Sequence, residues 1–469
     1  MDKKIRVVMY GFIFLLQLSL ALGVQAHSYE YQVLPDAIIF SIPVPSAHGF
    51  RVWQTKNPMK VIIDLEEQYI GQKGRIDIRD GALAAIRIDR GPETISTRIV
   101  LDFNYVLPDV QWIYEEGRLK VTVNKVFVRQ TLHTVTQGVR YGHERRGIEA
   151  GPLIVNFLAV DLNDPLVSVK SLVALDQIYG QELVSSMAQR GEAIAAVNGL
   201  YFAADGRPLG LLAIDGRVLS EPYAMRTAIG LGPGRASIGQ VGFSGTVFAP
   251  DGHSYSISGV NRPRGVDELI LYSPDHGGTT RTNQHGIDLV VVDNQVQRIG
   301  YGQMAIPLDG WVVSGHGRAR DFLRGISEGD TLNWEFKLEP DLISQGYDTI
   351  IGGGPRLVRD GQIYINGESE QFQRDILVGR APRTALGLTA SNTLLLVTVN
   401  GRQPGISVGM TLDELARLML ELGAVDAMNL DGGGSTTMVI RDRVLNLPSD
   451  GVERPVSNAL IVITPESRR

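Results

Sequence analysis

Asp431 ends an apolar stretch and is followed directly by three glycines and a serine, in the segment AMNLDGGGSTTMVI, residues 427–440. A carboxylate at a strand end can act on a bound substrate as a base or as a nucleophile. Glycine destabilises regular structure by roughly 0.5–1 kcal/mol per position relative to alanine, so three in succession need a reason. The general reasons are a tight turn and a backbone that another molecule must approach. Consecutive glycine N–H groups can also surround an anion.

A second glycine triplet occurs in IIGGGPRLVRDG, residues 350–361, again after an apolar run. A tight turn with a close backbone crossing explains either triplet taken singly. Two triplets at strand ends in one domain favour a shared cleft.

Other polar clusters follow apolar runs in the same way. They are Asn198 and Gly199 in AAVNGLYF, Arg383 and Thr384 in RAPRTALGLT, Asn400 and Arg402 in VNGRQPG, and Glu453, Arg454 and Asn458 in GVERPVSNAL. Each cluster alone is a weak signal, because an exposed arginine is usually solvated and Asn-Gly is usually a turn.

Several specific motifs are excluded around Asp431. The segment lacks the Gly-Lys-Ser/Thr ending of a P-loop and the spaced glycines of a dinucleotide fingerprint. It also lacks the spaced acids of a calcium loop, and Ser435 is not in a G-x-S-x-G elbow.

The composition limits the remaining function classes. The chain has 469 residues, which is enough for two or three domains. A formal net charge of −6 gives no basic footprint for nucleic acid. Cysteine is absent, so disulfides, thiolate zinc sites and cysteine nucleophiles are all excluded.

The N-terminus predicts export. MDKKIR is a positive segment, an apolar run follows it, and VQA precedes His27 as a cleavage site. We interpret residues 1–26 as a signal peptide, which places the mature protein outside the cytoplasm as a secreted, periplasmic or wall-associated protein. The alternative is an uncleaved membrane anchor, since the run is close to the length of a spanning helix.

The elements that position these residues fall into two regions. Short strands rich in β-branched residues fill residues 28–127 and predict a small all-β sandwich. Residues 128–150 are polar without a clear period and are interpreted as a linker or a lead-in strand. Residues 151–469 mix strands with a few helices, which predicts an α+β catalytic domain with mixed sheets.

Local signals within residues 151–469 are specific. GQELVSSMAQRG has helical spacing, and TLDELARLMLELG predicts a helix with a capping box at Thr411 and Glu414 and a C-cap glycine at Gly423. Asp-Gly or Asp-Asn pairs predict hairpins at AIDGRV, APDGHS, VVDNQV and VRDGQI.

Together these motifs resemble the phosphodiester glycosidase family, the group of the mannose-6-phosphate uncovering enzyme. The resemblance runs from about Gly151 to Thr464 and rests on VNGLYF, IGGGPRLVRDG, PRTALGLT, the segment from LLVTVNGRQPG to NLDGGGSTTM, and ERPVSNALIV. Leu200 stands where the family usually has glycine. Residues 28–127 resemble an AMIN domain, a module of exported cell-wall proteins, through VIIDLE, AAIRIDR and TRIVLDF.

The resemblance implies hydrolysis of a sugar-1-phosphodiester to free sugar and a phosphomonoester. The leaving phosphate is already a stable anion, so the reaction needs charge stabilisation and one carboxylate near the anomeric carbon. Arginine suits the first task because its planar fork matches phosphate oxygens. Asp431 suits the second task, as a base for water or as a nucleophile.

The resulting site prediction has a catalytic set and a substrate-binding set. The catalytic set is Asp431, Arg383 and Asn198. The substrate-binding set is Asn429, Gly432, Gly433, Gly434, Ser435, Thr384, Gly353, Gly354, Tyr201, Phe202, Arg402 and Arg454. No cofactor is expected, although a single calcium bound through Asp431 stays open. The expected partners are a glycan phosphodiester from the cell envelope or exopolysaccharide and, for the N-terminal domain, peptidoglycan or another wall polymer.

Three alternatives remain beside this function. The first is a serine hydrolase that uses Ser435 with a histidine such as His285 or His316. The second is a non-catalytic protein that binds cell-wall glycans. The third is a metallophosphodiesterase, for which the sequence shows no suitable spacing of histidine and aspartate.

Overall fold

The computed structural model describes residues 29–66, 70, 73–92, 95–107 and 109–468. Contacts divide the chain into two compact units, with the boundary between Val123 and Asn124. The predicted signal peptide, residues 1–26, lies outside the described residues. Within the described ranges, no helix has the length and apolarity that a bilayer crossing requires.

The first unit is a small β domain. Its strands are β1 (Glu30–Val33), β2 (Ala37–Pro43), β3 (Phe50–Lys56), β4 (Met59–Leu65), β5 (Gly74–Asp77), β6 (Leu83–Asp89), β7 (Thr97–Phe103), β8 (Val110–Glu115) and β9 (Arg118–Asn124). They form a four-stranded sheet in the order β1-β2-β9-β8 and a five-stranded sheet in the order β3-β4-β7-β6-β5. A two-residue turn at Glu116 and Gly117, both with positive φ, joins β8 to β9 as a hairpin.

Alternating burial explains why these segments form sheets. Strand β9 buries Leu119, Val121 and Val123, which are every second residue. The Phe50 ring of β3 lies 5.4 Å from the Trp112 ring of β8, so the two sheets of this unit touch.

The second unit contains the remaining strands. In chain order they are β10 (Phe127–Thr136), β11 (Val139–Ile148), β12 (Gly151–Asp161), β13 (Ser168–Val173), β14 (Ala195–Asn198), β15 (Leu212–Ile214), β16 (Arg217–Ser220), β17 (Thr227–Gly232), β18 (Arg235–Gln240), β19 (Gly242–Phe248), β20 (Ser254–Ser256), β21 (Gly259–Val260), β22 (Leu269–Tyr272), β23 (Ile287–Val292), β24 (Gln295–Gly300), β25 (Gly310–Gly315), β26 (Asn333–Glu339), β27 (Thr349–Gly352), β28 (Arg356–Arg359), β29 (Gln362–Ile363), β30 (Arg383–Thr389), β31 (Thr393–Val399), β32 (Ala424–Asn429), β33 (Met438–Ile440), β34 (Arg443–Val444) and β35 (Asn458–Ile463).

These strands build five sheets. The largest has eight strands in the order β10-β11-β12-β31-β30-β32-β28-β29. Two five-stranded sheets, β13-β35-β14-β33-β34 and β16-β15-β27-β17-β18, share an apolar core with it, to which Leu396, Leu460 and Ile351 contribute. The segment from β19 to β26 adds two further sheets, β20-β19-β26 and β21-β22-β25-β23-β24.

The linker interpretation of residues 128–150 is wrong, and the strand alternative describes them. Strands β10 and β11 pair with each other, and β11 pairs with β12, at the edge of the eight-stranded sheet. The apolar period is missing because β10 is an edge strand with seven exposed residues in succession.

Helices are few and short. They are α1 (Val184–Arg190), α2 (Arg318–Leu323), α3 (Arg374–Val378) and α4 (Leu412–Glu421). The prediction for α4 is confirmed, since Thr411 and Glu414 form the capping box and Gly423 has a φ of 94°. The four predicted hairpins are also present, as β15–β16, β19–β20, β23–β24 and β28–β29. The unit is nevertheless mostly β, so it meets the predicted α+β class only loosely.

Candidate active site

The two glycine triplets and Asn198 meet where three strands end. Strand β14 ends at Asn198 and β32 ends at Asn429, while β27 leads into the first triplet. The Asn198 Nδ2 atom donates to the Asp431 carbonyl at 2.7 Å, and the Gly354 N–H donates to the Asn429 carbonyl at 2.7 Å. The two triplets therefore lie close together, as the predicted shared cleft requires.

The backbone of Asp431 is fixed on both sides. Its N–H donates to the Gly199 carbonyl at 3.2 Å, and its carbonyl accepts from Asn198. The residue is partly exposed, yet protein surrounds the carboxyl group closely. This burial raises the pKa of Asp431 to about 6, against the opposing effects of the Ser435 hydroxyl, the Gly432 N–H and the charge of Arg454. A carboxyl group that titrates there can exchange protons near neutral pH.

Each glycine of the second triplet, Gly432 to Gly434, has its own reason. A Cβ atom on Gly432 would lie 2.8 Å from the Pro382 carbonyl oxygen, and Gly433 has a φ of 60°. A Cβ atom on Gly434 would lie 2.0 Å from Nη2 of Arg454. The triplet thus lets the backbone approach a carbonyl, turn, and pass beneath a guanidinium group.

The expected anion nest of glycine N–H groups is largely occupied by protein. The Gly433 N–H donates to the Pro382 carbonyl at 2.9 Å, and the Ser435 N–H donates to the Gly432 carbonyl at 3.2 Å. Positive charge at this place comes instead from side chains.

Two arginines lie over the triplet. The Arg402 guanidinium is 3.3 Å from the position of a Cβ atom on Gly433, and the residue is exposed with a φ of 61°. It forms no ion pair with any carboxylate in the part of the chain that the structure describes. Arg454 instead pairs with Asp450, with Nε donating to Oδ2 at 2.9 Å. Of these two arginines, Arg402 is therefore the one without a carboxylate partner among the described residues.

Arg383 lies in the site, but its guanidinium group contacts backbone carbonyls, whereas the sequence predicted that it would bind the substrate phosphate. It is 4% exposed, its Nε donates to the Met410 carbonyl at 3.0 Å, and its Nη2 donates to the carbonyls of Ile376 and Gly379. Burial lowers the pKa of Arg383, with Arg402 acting in the same direction. The Nε–Nη2 edge that would hold a phosphate is therefore committed to the backbone, and Arg383 positions the segment around α3.

The first triplet supports Tyr201 rather than a ligand. The Tyr201 hydroxyl donates to the Gly354 carbonyl at 3.0 Å and accepts from Asn429 Nδ2 at 2.8 Å. Burial raises the pKa of Tyr201, and the charge of Asp431 raises it further. A Cβ atom on Gly353 would lie 2.6 Å from the Met428 methyl group. This backbone is therefore packed against the core, which matches the close-crossing explanation of a triplet.

Asn198 and Thr384 belong to an internal network. Both are fully buried, the Thr384 hydroxyl donates to Asn198 Oδ1 at 2.7 Å, and the Thr437 N–H donates to the same oxygen at 3.1 Å. The side-chain groups of Asn198 are thus hydrogen-bonded within the protein, and its Nδ2 holds the Asp431 carbonyl. Phe202 packs against the apolar cluster around α1, which also contains Val456.

The structure adds residues that the sequence reasoning missed. Arg226 donates to the Glu370 carbonyl, and its guanidinium lies 3.9 Å from the Phe372 ring and 6.0 Å from the Tyr201 ring. Asp450 is the carboxylate partner of Arg454. Only Asp450 carried a signal, since it stands four residues before Arg454; the contacts of Arg226 come from segments distant in sequence.

The serine hydrolase alternative gains no support. Ser435 is 2% exposed, and its hydroxyl hydrogen-bonds the Asp431 carboxyl group. His285 and His316 both lie in the segment between β19 and β26, where the His285 carbonyl accepts from Arg320 Nη1 and the His316 N–H donates to the Glu268 carbonyl. Among the described residues, no three histidine, aspartate or glutamate side chains lie together in a way that could hold a metal ion.

Comparison with known proteins places this geometry in context. A sequence profile of the family described as phosphodiester glycosidase matches residues 285–463. The prophage-derived uncharacterized protein YomE of Bacillus subtilis is 38% identical over 125 residues, which are 27% of this chain and 19% of YomE. The N-acetylglucosamine-1-phosphodiester alpha-N-acetylglucosaminidase of Bos taurus is 32% identical over 158 residues, which are 32% of this chain and 26% of the bovine protein. The matches thus span less than a third of either relative.

A solved structure shares the fold over a longer range. The crystal structure of a hypothetical protein from Synechocystis covers 94% of this chain and 80% of its own, with a TM-score of 0.66 and 21% identity. The segment that the family profile matches contains Asp431, Arg402 and Arg454, whereas Asn198 and Tyr201 precede it. Over residues 285–463 the chain is therefore similar to the phosphodiester glycosidase family.

Proposed function

We propose that this chain is an exported hydrolase that cleaves a sugar-1-phosphodiester at the anomeric C–O bond. The proposal depends on two groups that lie close together in the chain fold. The Asp431 carboxyl group has a raised pKa, and the Arg402 guanidinium, which has no carboxylate partner among the described residues, lies over Gly433. The first substrate to test is an N-acetylglucosamine 1-phosphodiester, the class in the bovine relative's name. Envelope and exopolysaccharide glycans are the proposed natural source.

The residues have separate roles in this reaction. Arg402 holds the phosphate and stabilises the charge that develops on it as it leaves. The Asp431 carboxylate takes a proton from water while the water oxygen bonds to the anomeric carbon. The bond from that carbon to the phosphate oxygen breaks, and its electron pair stays on the phosphate. The products are free sugar and a phosphomonoester.

A covalent route uses the same groups. An oxygen of Asp431 attacks the anomeric carbon and phosphate leaves; water then hydrolyses the glycosyl ester. The direct route inverts the anomeric configuration and the covalent route retains it, so proton NMR of the first product formed distinguishes them.

Hydrolysis in ¹⁸O-labelled water tests which bond breaks. We expect the label in the released sugar and none in the phosphomonoester, because water attacks carbon. Label in the phosphomonoester would show attack at phosphorus and would overturn the glycosidase proposal. A protein that binds the diester without releasing sugar would support the glycan-binding alternative.

We further propose that no cofactor takes part. Turnover should be unchanged after dialysis against EDTA and should not rise when Ca²⁺ is added back. Loss on chelation with recovery by Ca²⁺ would show that a metal belongs to the site.

The first unit is proposed to hold the enzyme at the cell wall. Trp112 of strand β8 is half exposed, at 50%, and offers an aromatic ring to a polymer. The protein without residues 1–26 should sediment with purified peptidoglycan, and Trp112→Ala should sediment less. Equal recovery in the supernatant with and without peptidoglycan would contradict the wall-binding role.

A further inference from the structure

Asp450 and Arg454 form an ion pair at the margin of the candidate site. Both Nε and Nη2 of Arg454 donate to the same oxygen, Oδ2 of Asp450, at 2.9 Å and 2.5 Å. The loop that carries them is fixed, because Glu453 accepts from the Ser185 N–H at 2.9 Å and from the Ser185 hydroxyl at 2.6 Å. The pair therefore has a defined place in the fold.

That place is directly on Gly434. A Cβ atom there would lie 2.0 Å from Nη2 of Arg454 and 2.4 Å from Oδ2 of Asp450. The next residue, Ser435, hydrogen-bonds the Asp431 carboxyl group, and the charge of Arg454 acts on the same carboxyl. Only small residues can pass under the pair, which is one reason for the glycine.

We propose that Asp450 is a positioning residue of this site: by pairing with Arg454 across Gly434 it fixes the guanidinium and limits the positive charge that the Asp431 carboxyl group experiences. The proposal rests on the proposed function of Asp431 and identifies what regulates that residue. Asp450 acts through Arg454 and does not itself contact the substrate.

The other groups around Asp431 do not offer the same control. The Ser435 hydroxyl and the Gly432 N–H are neutral donors, and the Tyr201 hydroxyl, which is electrostatically coupled to Asp431, is already bonded to Gly354. Two more cations, Arg383 and Arg402, lie close to Gly432 and Gly433. Arg383 is held by backbone carbonyls. Among the described residues around Asp431, the Arg454 charge is thus the one that a carboxylate partner offsets.

The test is the pH dependence of kcat/KM for an N-acetylglucosamine 1-phosphodiester. In Asp450→Asn the Arg454 charge is no longer offset, so the acid limb of the profile should move to lower pH by about one unit. In an Arg454→Gln background, adding Asp450→Asn should produce no further shift. An unchanged acid limb, a shift to higher pH, or a shift that persists without Arg454 would overturn the proposal.

Asp413→Asn is the matched control. Asp413 pairs with Arg417 at the same spacing of four residues and at 2.9 Å, but on the exposed face of α4. Removing this carboxylate should leave the acid limb unchanged. A shift equal to that of Asp450→Asn would show that the effect comes from net charge, against the proposal.

A second readout does not need turnover. The melting temperature of each protein is compared with that of the same protein carrying Asp431→Asn, across pH 4 to 8. The pH at which the two curves separate reports the titration of Asp431 in the folded state. Asp450→Asn should lower that pH by the same amount as the acid limb. If no diester is cleaved but this shift occurs, the proposed function fails and the role of Asp450 stands; if diesters are cleaved without the shift, the reverse holds.

Discussion

The two glycine triplets, Gly352–Gly354 and Gly432–Gly434, have the same letters but different surroundings. A Cβ atom on Gly353 would meet the Met428 methyl group, a Leu430 methyl group and the Asn429 carbonyl within 2.9 Å. A Cβ atom on Gly434 would meet the ends of two side chains, Nη2 of Arg454 and Oδ2 of Asp450. The first triplet is therefore packed in the core, and the second lies beneath charged side chains. A run of glycines indicates that other atoms come close to the backbone. Which atoms these are depends on the side chains packed around the run.

The largest expected effect comes from the acid beside the second triplet. Asp431→Asn should lower kcat by roughly a thousandfold, because the carboxylate acts in the transition state. In the unmodified protein kcat/KM should fall as the pH drops through about 6, where Asp431 becomes protonated. A pH–rate profile of both proteins measures this. Near-normal turnover of Asp431→Asn would assign the aspartate to the turn alone.

The stability of the Asp431→Asn variant tests the raised pKa of Asp431 without an activity measurement. The pKa of Asp431 is raised on folding, so its ionisation destabilises the folded state from about pH 4 and does so fully above about pH 6. Asp431→Asn should therefore raise the free energy of unfolding by roughly 1–3 kcal/mol at pH 8 and change it little at pH 4. Urea unfolding at the two pH values measures the difference.

The next prediction concerns the stability of a variant of the first triplet. Gly353→Ala should destabilise the fold by about 2–3 kcal/mol, because the methyl group overpacks a site lined by Met428, Leu430 and backbone. The folded fraction should keep its kcat. Urea unfolding with activity per folded molecule separates the two quantities, and a selective loss of kcat would place this triplet in the catalytic surface.

At the second triplet the same change should act in the opposite sense. In Gly434→Ala the Arg454 side chain can move away, so the midpoint of unfolding should stay close to that of the original protein. Because the guanidinium leaves its place beside Asp431, kcat/KM should fall about tenfold. A variant that loses stability but not kcat/KM would remove the distinction between the triplets.

The smallest expected effect concerns the free cation. Arg402→Gln should raise KM about fivefold to tenfold with less change in kcat, in line with about 1–1.5 kcal/mol for one charge-assisted contact to phosphate. Arg359→Gln, at an exposed arginine beside Asp360, is the control and should leave KM unchanged. Equal KM values for both variants would exclude Arg402 from phosphate binding.

Features that depend on neighbouring residues were predictable from the amino-acid sequence. The capping box of α4 and the two-residue turns of the hairpins were predictable because their residues lie within a few positions of each other. The placement of Asp431 at a strand end and the need for glycine after it also follow from local pattern. The sequence left a linker and a strand open for β10 because exposure on both faces removes the apolar period.

The contacts of the polar side chains depend instead on how distant segments pack together. Asn198 reaches the Asp431 carbonyl across 233 positions of sequence, a contact that no local pattern indicates. The Nε of Arg383 meets the Met410 carbonyl, 27 residues away, so its fork is not free for phosphate. The physical reason is that a buried donor must find an acceptor, and which carbonyl remains available is set by the packing of distant strands.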